Sequence, residues 1–390
     1  MLVHHSEKDY KTAASAAAQN ARGLMEQKLA MGHVKGQQIL DALETQAIVS
    51  RVPRANQIRF ETAAVKTGNI IDDQLRMTLG GGLNEQLRVH RNALTQMHDK
   101  IRSPAPDYLE YLCSTHRPAL AADILNAHIT TEGKDQKKGD WRRFMVRHVD
   151  LEARAFLSDS YKPLDSRPLF HAFADAAQQV GAVITDGNAT DLRYNLKAFL
   201  PMVFEPVENE VMCFGVSITN GEFGNASMTL SFLFWRLWCT NYAMIEQGLK
   251  RVHLGETLPD GIIFSEQLQE RSTKLLCDKM GETVNFLLGP EKVDQVLSTI
   301  RAADEKEVDW KTARTAVANL GFAKAEMSEL EALFNQTDGD AIIAPPKRTL
   351  YKVAQLVAWK AKGAEGERKL DLEDAAGKII AKEAARAQAA

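Results

Sequence analysis

The chain has 390 residues, enough for two or three folding units, and is 45% hydrophobic, 25% charged and 7% aromatic; this excludes wholesale disorder, a collagen-like repeat and a disulfide scaffold. Lys and Arg number 48 against 51 Asp and Glu, a net charge of −3. No global positive field therefore draws the protein onto nucleic acid or an anionic membrane, and such binding needs a local basic patch.

The polar N-terminus, with His4 and His5, carries no apolar stretch of signal-peptide length. An Ala-rich run from Ala13 to Ala21, then Ile39, Leu40 and Leu43, predicts helix up to a break at Val52-Pro53, with an extended piece over 56–62. Gly80-Gly81-Gly82 precedes an amphipathic helical run (Leu83, Leu87, Leu94, Met97) that stops before Pro104, and a further helical stretch covers 108–128. The segment 130–140 reads as an exposed loop.

Beyond it, Phe144, Val146 and His148 alternate with Arg143, Met145 and Arg147, the period of a strand with one charged face. A second strand is expected at 153–157, and a helix from Pro168 with Phe170, Phe173, Ala174 and Ala177 on one stripe, closed by Gly181. A strand over 192–204 sets Arg193, Asn195 and Lys197 opposite Tyr194, Leu196 and Ala198. Met212, Phe214, Val216 and Ile218, then Met228, Leu230, Phe232 and Phe234, flank the turn residues Asn220-Gly221 and predict a β-hairpin. Its other face is rich in hydroxyls (Ser217, Thr219, Ser227, Thr229, Ser231), suited to solvent or to a ligand. Helices follow at 265–288, 290–300, 309–320 with Gly321 as the stop, and 350–359; the tail from Ala361 reads as a solvated helix or frayed end.

The window from Met228 to Ile245 is interrupted by Ser231, Arg236, Thr240 and Asn241, so no membrane span is expected. Cys113, Cys213, Cys239 and Cys277 lie far apart, without ligand spacing, and read as reduced core thiols of a cytoplasmic protein. Phosphate loops, dinucleotide fingerprints, zinc-protease helices and nucleophile elbows are absent from the sequence. Asp338-Gly339-Asp340 lacks the downstream Glu of a calcium loop and reads as a turn.

Charge is segregated. Residues 51–104 carry nine Lys/Arg against five acids, residues 134–154 seven against four, and residues 303–340 four against nine. Lys137-Lys138-Gly139-Asp140-Trp141-Arg142-Arg143-Phe144 combines cations for phosphates with aromatics for stacking. Arg143 and Arg147 share a strand face that Arg193 and Lys197 could extend into a groove. The competing reading is that these cations solvate the outer face of a sheet, with Phe144 in the core and Trp141 over its edge.

Three stretches carry a family resemblance: Arg154 to Asp165 (RAFLSDSYKPLD), Gly215 to Gly224 (GVSITNGEFG) with Ser227, and Arg236 to Asn241 (RLWCTN). Together, over about residues 140 to 250, they resemble the phage/plasmid-like protein family of unknown function found on mobile bacterial elements. The chain departs from that family at Tyr242, where Gly is common. Within the motifs, Gly221 and Gly224 suit positive φ, Asn220 a turn, Cys239 a core position and Arg154 a pairing with Glu222 or Asp159. The order strand, strand, helix, strand, hairpin is similar to the core of single-strand annealing proteins, which hold a nucleic-acid backbone in a basic groove beside a sheet.

The expected fold is α+β, a central antiparallel β-sheet with a β-hairpin and packed helix, flanked by N- and C-terminal helices. It divides into a mainly helical, partly basic region 1–130, an α+β core 131–250, a helical region 251–360 and an Ala/Lys/Glu-rich tail 361–390. The expected function is a phage- or plasmid-encoded, non-enzymatic single-stranded DNA-binding protein acting in annealing or recombination, homo-oligomeric and without cofactor or metal. Its binding residues are Lys137, Lys138, Trp141, Arg142, Arg143, Arg147, Arg154, Arg193 and Lys197. One alternative is an interaction protein, a transcription or replication cofactor that engages a host or viral polymerase through the acidic helices between Ala303 and Asp340. Another is a metal-dependent nucleic-acid enzyme built around Asp159, Asp165, Glu222 and Asn241.

Overall fold

Ala-rich sequence with Ser15 as N-cap, its hydroxyl accepting from Ala18 N–H, produces α1 (Ala16–Thr45). The computed structural model describes residues 10–67, 70–80, 85–135, 139–237, 241–251, 266–337 and 344–389, and the fold is α+β. Gly81, Gly82, Leu83, Lys137, Lys138, Trp238, Cys239, Thr240 and the Asp338-Gly339-Asp340 turn lie outside the described residues, as do His4 and His5.

Two sheets carry the fold. The first joins β1 (Ile48–Arg51), β2 (Ile58–Thr67), β3 (Ile70–Leu79), β4 (Glu85–Val89), β5 (Phe144–Val149) and β6 (Glu152–Ser158) in the order β1-β5-β6-β4-β3-β2. Every pairing is antiparallel except β4 with β6. Helices α2 (Arg91–Ile101), α3 (Pro106–Ser114) and α4 (Pro118–Glu132) cover one face, where Leu94, Met97, Leu125 and Ile129 meet Phe60, Met77, Leu87, Phe144 and Phe156.

The N-terminal third is therefore not helical throughout. Leu87 belongs to a strand, and Leu75, Met77 and Leu79 alternate along β3 at period two. The helix expected over 108–128 is two helices, because His116 turns into the left-handed region (φ 57°) and Pro118 opens a new first turn. Strands from both sides of residue 130 pair in one sheet, so the boundary expected there runs through it.

The second sheet runs β12-β11-β10-β8-β7, with β9 paired to β10; its strands are β7 (Val183–Ala189), β8 (Arg193–Phe199), β9 (Phe204–Val207), β10 (Glu210–Gly221), β11 (Met228–Arg236) and β12 (Asn241–Arg251). The hairpin forms as expected, in the register Met212↔Arg236 to Thr219↔Thr229. Helix α5 (Ser166–Gln179), closed by Gly181 at φ 81°, packs Phe170 and Phe173 into the core beside Tyr194, Phe214 and Phe232. On the opposite side Ala18, Ala21, Met25 and Leu29 of α1 meet Phe199, Cys213, Leu233 and Trp235. Helix α1 lies so close to β7 that a Cβ at Gly32 would stand 1.8 Å from the Thr185 carbonyl oxygen.

The remaining helices are α6 (Glu266–Leu287), α7 (Pro290–Glu305), α8 (Trp310–Val317), α9 (Lys324–Asn335), α10 (Leu350–Lys362) and α11 (Gly366–Ala389). As far as residue 382 the tail packs on the fold instead of fraying into solvent: Leu370, Leu372, Ala376, Ile379 and Ile380 on α11 are buried. Their spacing at two, four, three and one residues gives the helix one apolar stripe among its Lys and Glu. None of the described helices is long and apolar enough to cross a membrane. Cys213 is buried, and burial pushes its thiol up; Cys113 and Cys277 are half-buried rather than core.

Candidate nucleic-acid interface

The tip of the β10–β11 hairpin plugs the first sheet. Phe223 is fully buried among Met145, Ala155, Leu157 and Tyr161, and its carbonyl accepts from Gln96 (2.7 Å) and Asn92 (3.2 Å) of α2. Gly224, at φ 75°, is required here, since a Cβ would come within 2.5 Å of Leu157. Gly221 instead has no positive φ; it is a β10 residue where a Cβ would crowd Asn225 and Ala226.

Arg147 is the centre of this joint. Its side chain is 2% exposed and donates to the Glu222 carbonyl (2.7 Å) and to Asp165 Oδ1 (2.5 Å). Glu222 Oε1 accepts from the Ser166 backbone N–H at the start of α5 (2.5 Å), while Asn220 donates to the Leu164 carbonyl and Ser166 Oγ. Burial pushes the Glu222 carboxyl above the ordinary carboxylate range, against the Ser166 N–H and Arg147 and with help from Asp165.

A raised native pKa means that folded Glu222 keeps a proton the unfolded chain has released. Its contribution to stability is full below the ordinary Glu value of 4.5 and is lost as pH rises through the native value. Glu222→Gln is therefore expected to exceed the native chain in urea midpoint near neutral pH and to lose that advantage in acid. A difference independent of pH would contradict this assignment.

Of the nine residues read as a binding set, the seven that are described divide sharply. Arg147 and Lys197 do not face solvent: Lys197, also 2% exposed, donates to Glu373 of α11 (2.6 Å) and lies 4.1 Å from the Tyr242 ring centre. Asp186 is 3.9 Å away; burial pushes its carboxyl up, but Lys197 and Lys35 outweigh burial and hold it low. Arg193 faces Asp371 of α11 at 3.7 Å, and Arg154 pairs with Glu152 and the Asp191 carbonyl rather than with Glu222 or Asp159. The groove expected through Arg143, Arg147, Arg193 and Lys197 does not form: β5 and β8 belong to different sheets, Arg147 is covered by the hairpin tip, and Arg193 and Lys197 face α11. The hydroxyl face is covered in part: Ser217, Thr219 and Ser231 are buried, with Asn195 donating to the first two, and Ser227 and Thr229 are half-buried.

Arg142 and Arg143 are exposed. Arg142 donates to the Lys100 and Glu132 carbonyls at the ends of α2 and α4 and lies over the Phe144 ring. Trp141 is half-buried against the first core. An isolated antiparallel bridge sets Arg143 opposite Arg54, and another sets Lys134 opposite Trp141. Arg54 and Arg143 are both exposed, and among the described residues neither makes an ion pair. Arg54 was countable in the basic segment 51–104, but only the bridge shows that it stands beside Arg143.

The residues of the enzyme alternative are not brought together. Asp165 and Glu222 sit at the joint, Asp159 is exposed in the turn after β6, and Asn241 pairs with Arg236 at the far end of a hairpin whose β10 strand has 12 residues. Among the described residues no group of three His, Cys, Asp or Glu side chains is placed to hold a metal ion. No protein-family model, curated protein or solved structure matches the chain.

Proposed function

We propose that the protein binds single-stranded nucleic acid, DNA by preference, at the corner of the first sheet formed by Arg54, Lys134, Trp141, Arg142 and Arg143. The observation that carries this is the Arg54–Arg143 pair. Two arginines set opposite one another across an isolated antiparallel bridge repel, by a few tenths to about 1 kcal/mol, and among the described residues no carboxylate pairs with either. An exposed cation pair of this kind suits a phosphodiester, and Trp141 supplies an aromatic edge beside it. The setting on a phage or plasmid belongs to the same proposal and is supported by the motif residues between Arg154 and Asn241.

Fluorescence anisotropy of a labelled oligothymidylate tests the proposal. Binding is expected at low salt, and the double variant Arg54→Ala, Arg143→Ala is expected to make the log K against log salt plot shallower by about 1.4, at roughly 0.7 for each phosphate contact. Absence of binding by the native chain at low salt would refute the proposal.

A further inference from the structure

The basic segment 51–104 acquires a second meaning once its strands are paired. Residues Arg59 and Glu61 of β2, Arg76 and Thr78 of β3, and Gln86 and Arg88 of β4 all point to the same side of the first sheet, because their registers place them directly opposite one another. Helix α4 packs on the other side of β2 and β3, where Phe60 and Met77 are buried. The side bearing the arginines is polar, with Arg59, Gln86 and Arg88 exposed and Arg76 and Thr78 half-buried.

One row crosses four strands as Glu61, Arg76, Arg88 and Glu152. Arg88 pairs with Glu152 (2.5 Å), and Glu61 accepts from Thr78 and Gln86. Arg76 is the exception. Arg76 stands directly opposite Arg88, has no ion pair among the described residues, and donates only to the neutral amide of Gln74 (3.1 Å). Directly opposed like charges destabilise a sheet; Glu152 offsets Arg88, whereas Arg76 makes no ion pair with its register partner Glu61 and is the cation of the row left without a carboxylate among the described residues.

We propose that Arg76 and Arg88 together hold a phosphate of the bound strand, making the open side of β2, β3 and β4 a second phosphate-binding face, with Arg59 beside it. The inference rests on the nucleic-acid reading of the Arg54–Arg143 corner and extends it. Arg59 lies five positions along the chain from Arg54, within about 18 Å at full extension. The corner and Arg59 are therefore within reach of a single bound strand. A second pair of arginines also makes the footprint several nucleotides long, within the range of single-strand binders.

The test uses the full chain and the labelled oligothymidylate in a salt titration. Arg76→Gln with Arg88→Gln is expected to weaken low-salt affinity about tenfold and to reduce the salt slope by about 1.4. Its Tm should stay close to that of the native chain, because relief of the repulsion and loss of the exposed Arg88–Glu152 pair oppose one another. Arg76→Gln alone, which leaves the Arg88–Glu152 pair intact, is expected to remove about half of the slope change, and Arg76→Lys with Arg88→Lys to retain the slope. If the native chain binds and the Gln variants keep its slope and affinity, this second face is refuted while the corner stands. If the native chain does not bind at all, both readings fall.

Discussion

Glu210→Ala is expected to cost about 3–5 kcal/mol of folding stability, the usual consequence of leaving one member of a buried ion pair alone. Arg236 has no exposed surface, and its guanidinium donates to both Glu210 oxygens, Nε to Oε2 at 2.5 Å and Nη2 to Oε1 at 2.6 Å. Tyr351 of α10 donates to Oε2 as well, at 3.3 Å. The pair closes the base of the β10–β11 hairpin, since Glu210 is the first residue of β10 and Arg236 the last of β11. Removing the carboxylate takes from the desolvated guanidinium the counter-ion that Glu210 supplies and from Tyr351 the Glu210 acceptor. Glu210→Gln keeps acceptor and shape and should cost less. A urea midpoint for Glu210→Ala indistinguishable from the native chain would overturn this account.

Glu373→Ala is expected to cost about 3 kcal/mol, the lower end of the same range, because Asp186 remains 3.9 Å from the stranded Lys197. The contrast with the double replacement Lys197→Met, Glu373→Leu is the informative measurement. Removing both charges together and filling the space with apolar atoms should return stability close to the native value. Additive losses in that cycle would show that Lys197 and Glu373 do not act as a pair. The same experiment bears on function: Lys197→Met should not change the salt slope of strand binding, because the ammonium is covered by α11.

How much of this could be read from the chain depends on the element. The hairpin was legible because Met212 to Ile218 and Met228 to Phe234 alternate without interruption and a turn signal separates them. Strand β2 was only half visible, since Thr62, Ala63 and Ala64 carry no alternation, and β7 was missed because Asp186, Gly187 and Asn188 mimic a turn. In β7 those residues serve tertiary needs instead: Asp186 answers Lys197 and Lys35, and Gly187 admits Ile39 of α1, to which a Cβ would come within 2.3 Å.

The candidate interface shows the same division. Alternation along β8 placed Arg193 with Lys197 on one side, where both meet α11, because the two-residue period is a property of the local backbone. What lies over that side is not local. Lys197 finds its carboxylate 176 positions away, and Arg147 binds a carbonyl 75 positions away. Whether a strand cation is a ligand for phosphate or a buried counter-ion is therefore settled only when distant segments pack. The sequence alone determined the class of fold, the hairpin and the segregation of charge. Tertiary structure decided which cations keep their access to solvent, because desolvation and pairing depend on neighbours the chain brings in from far away.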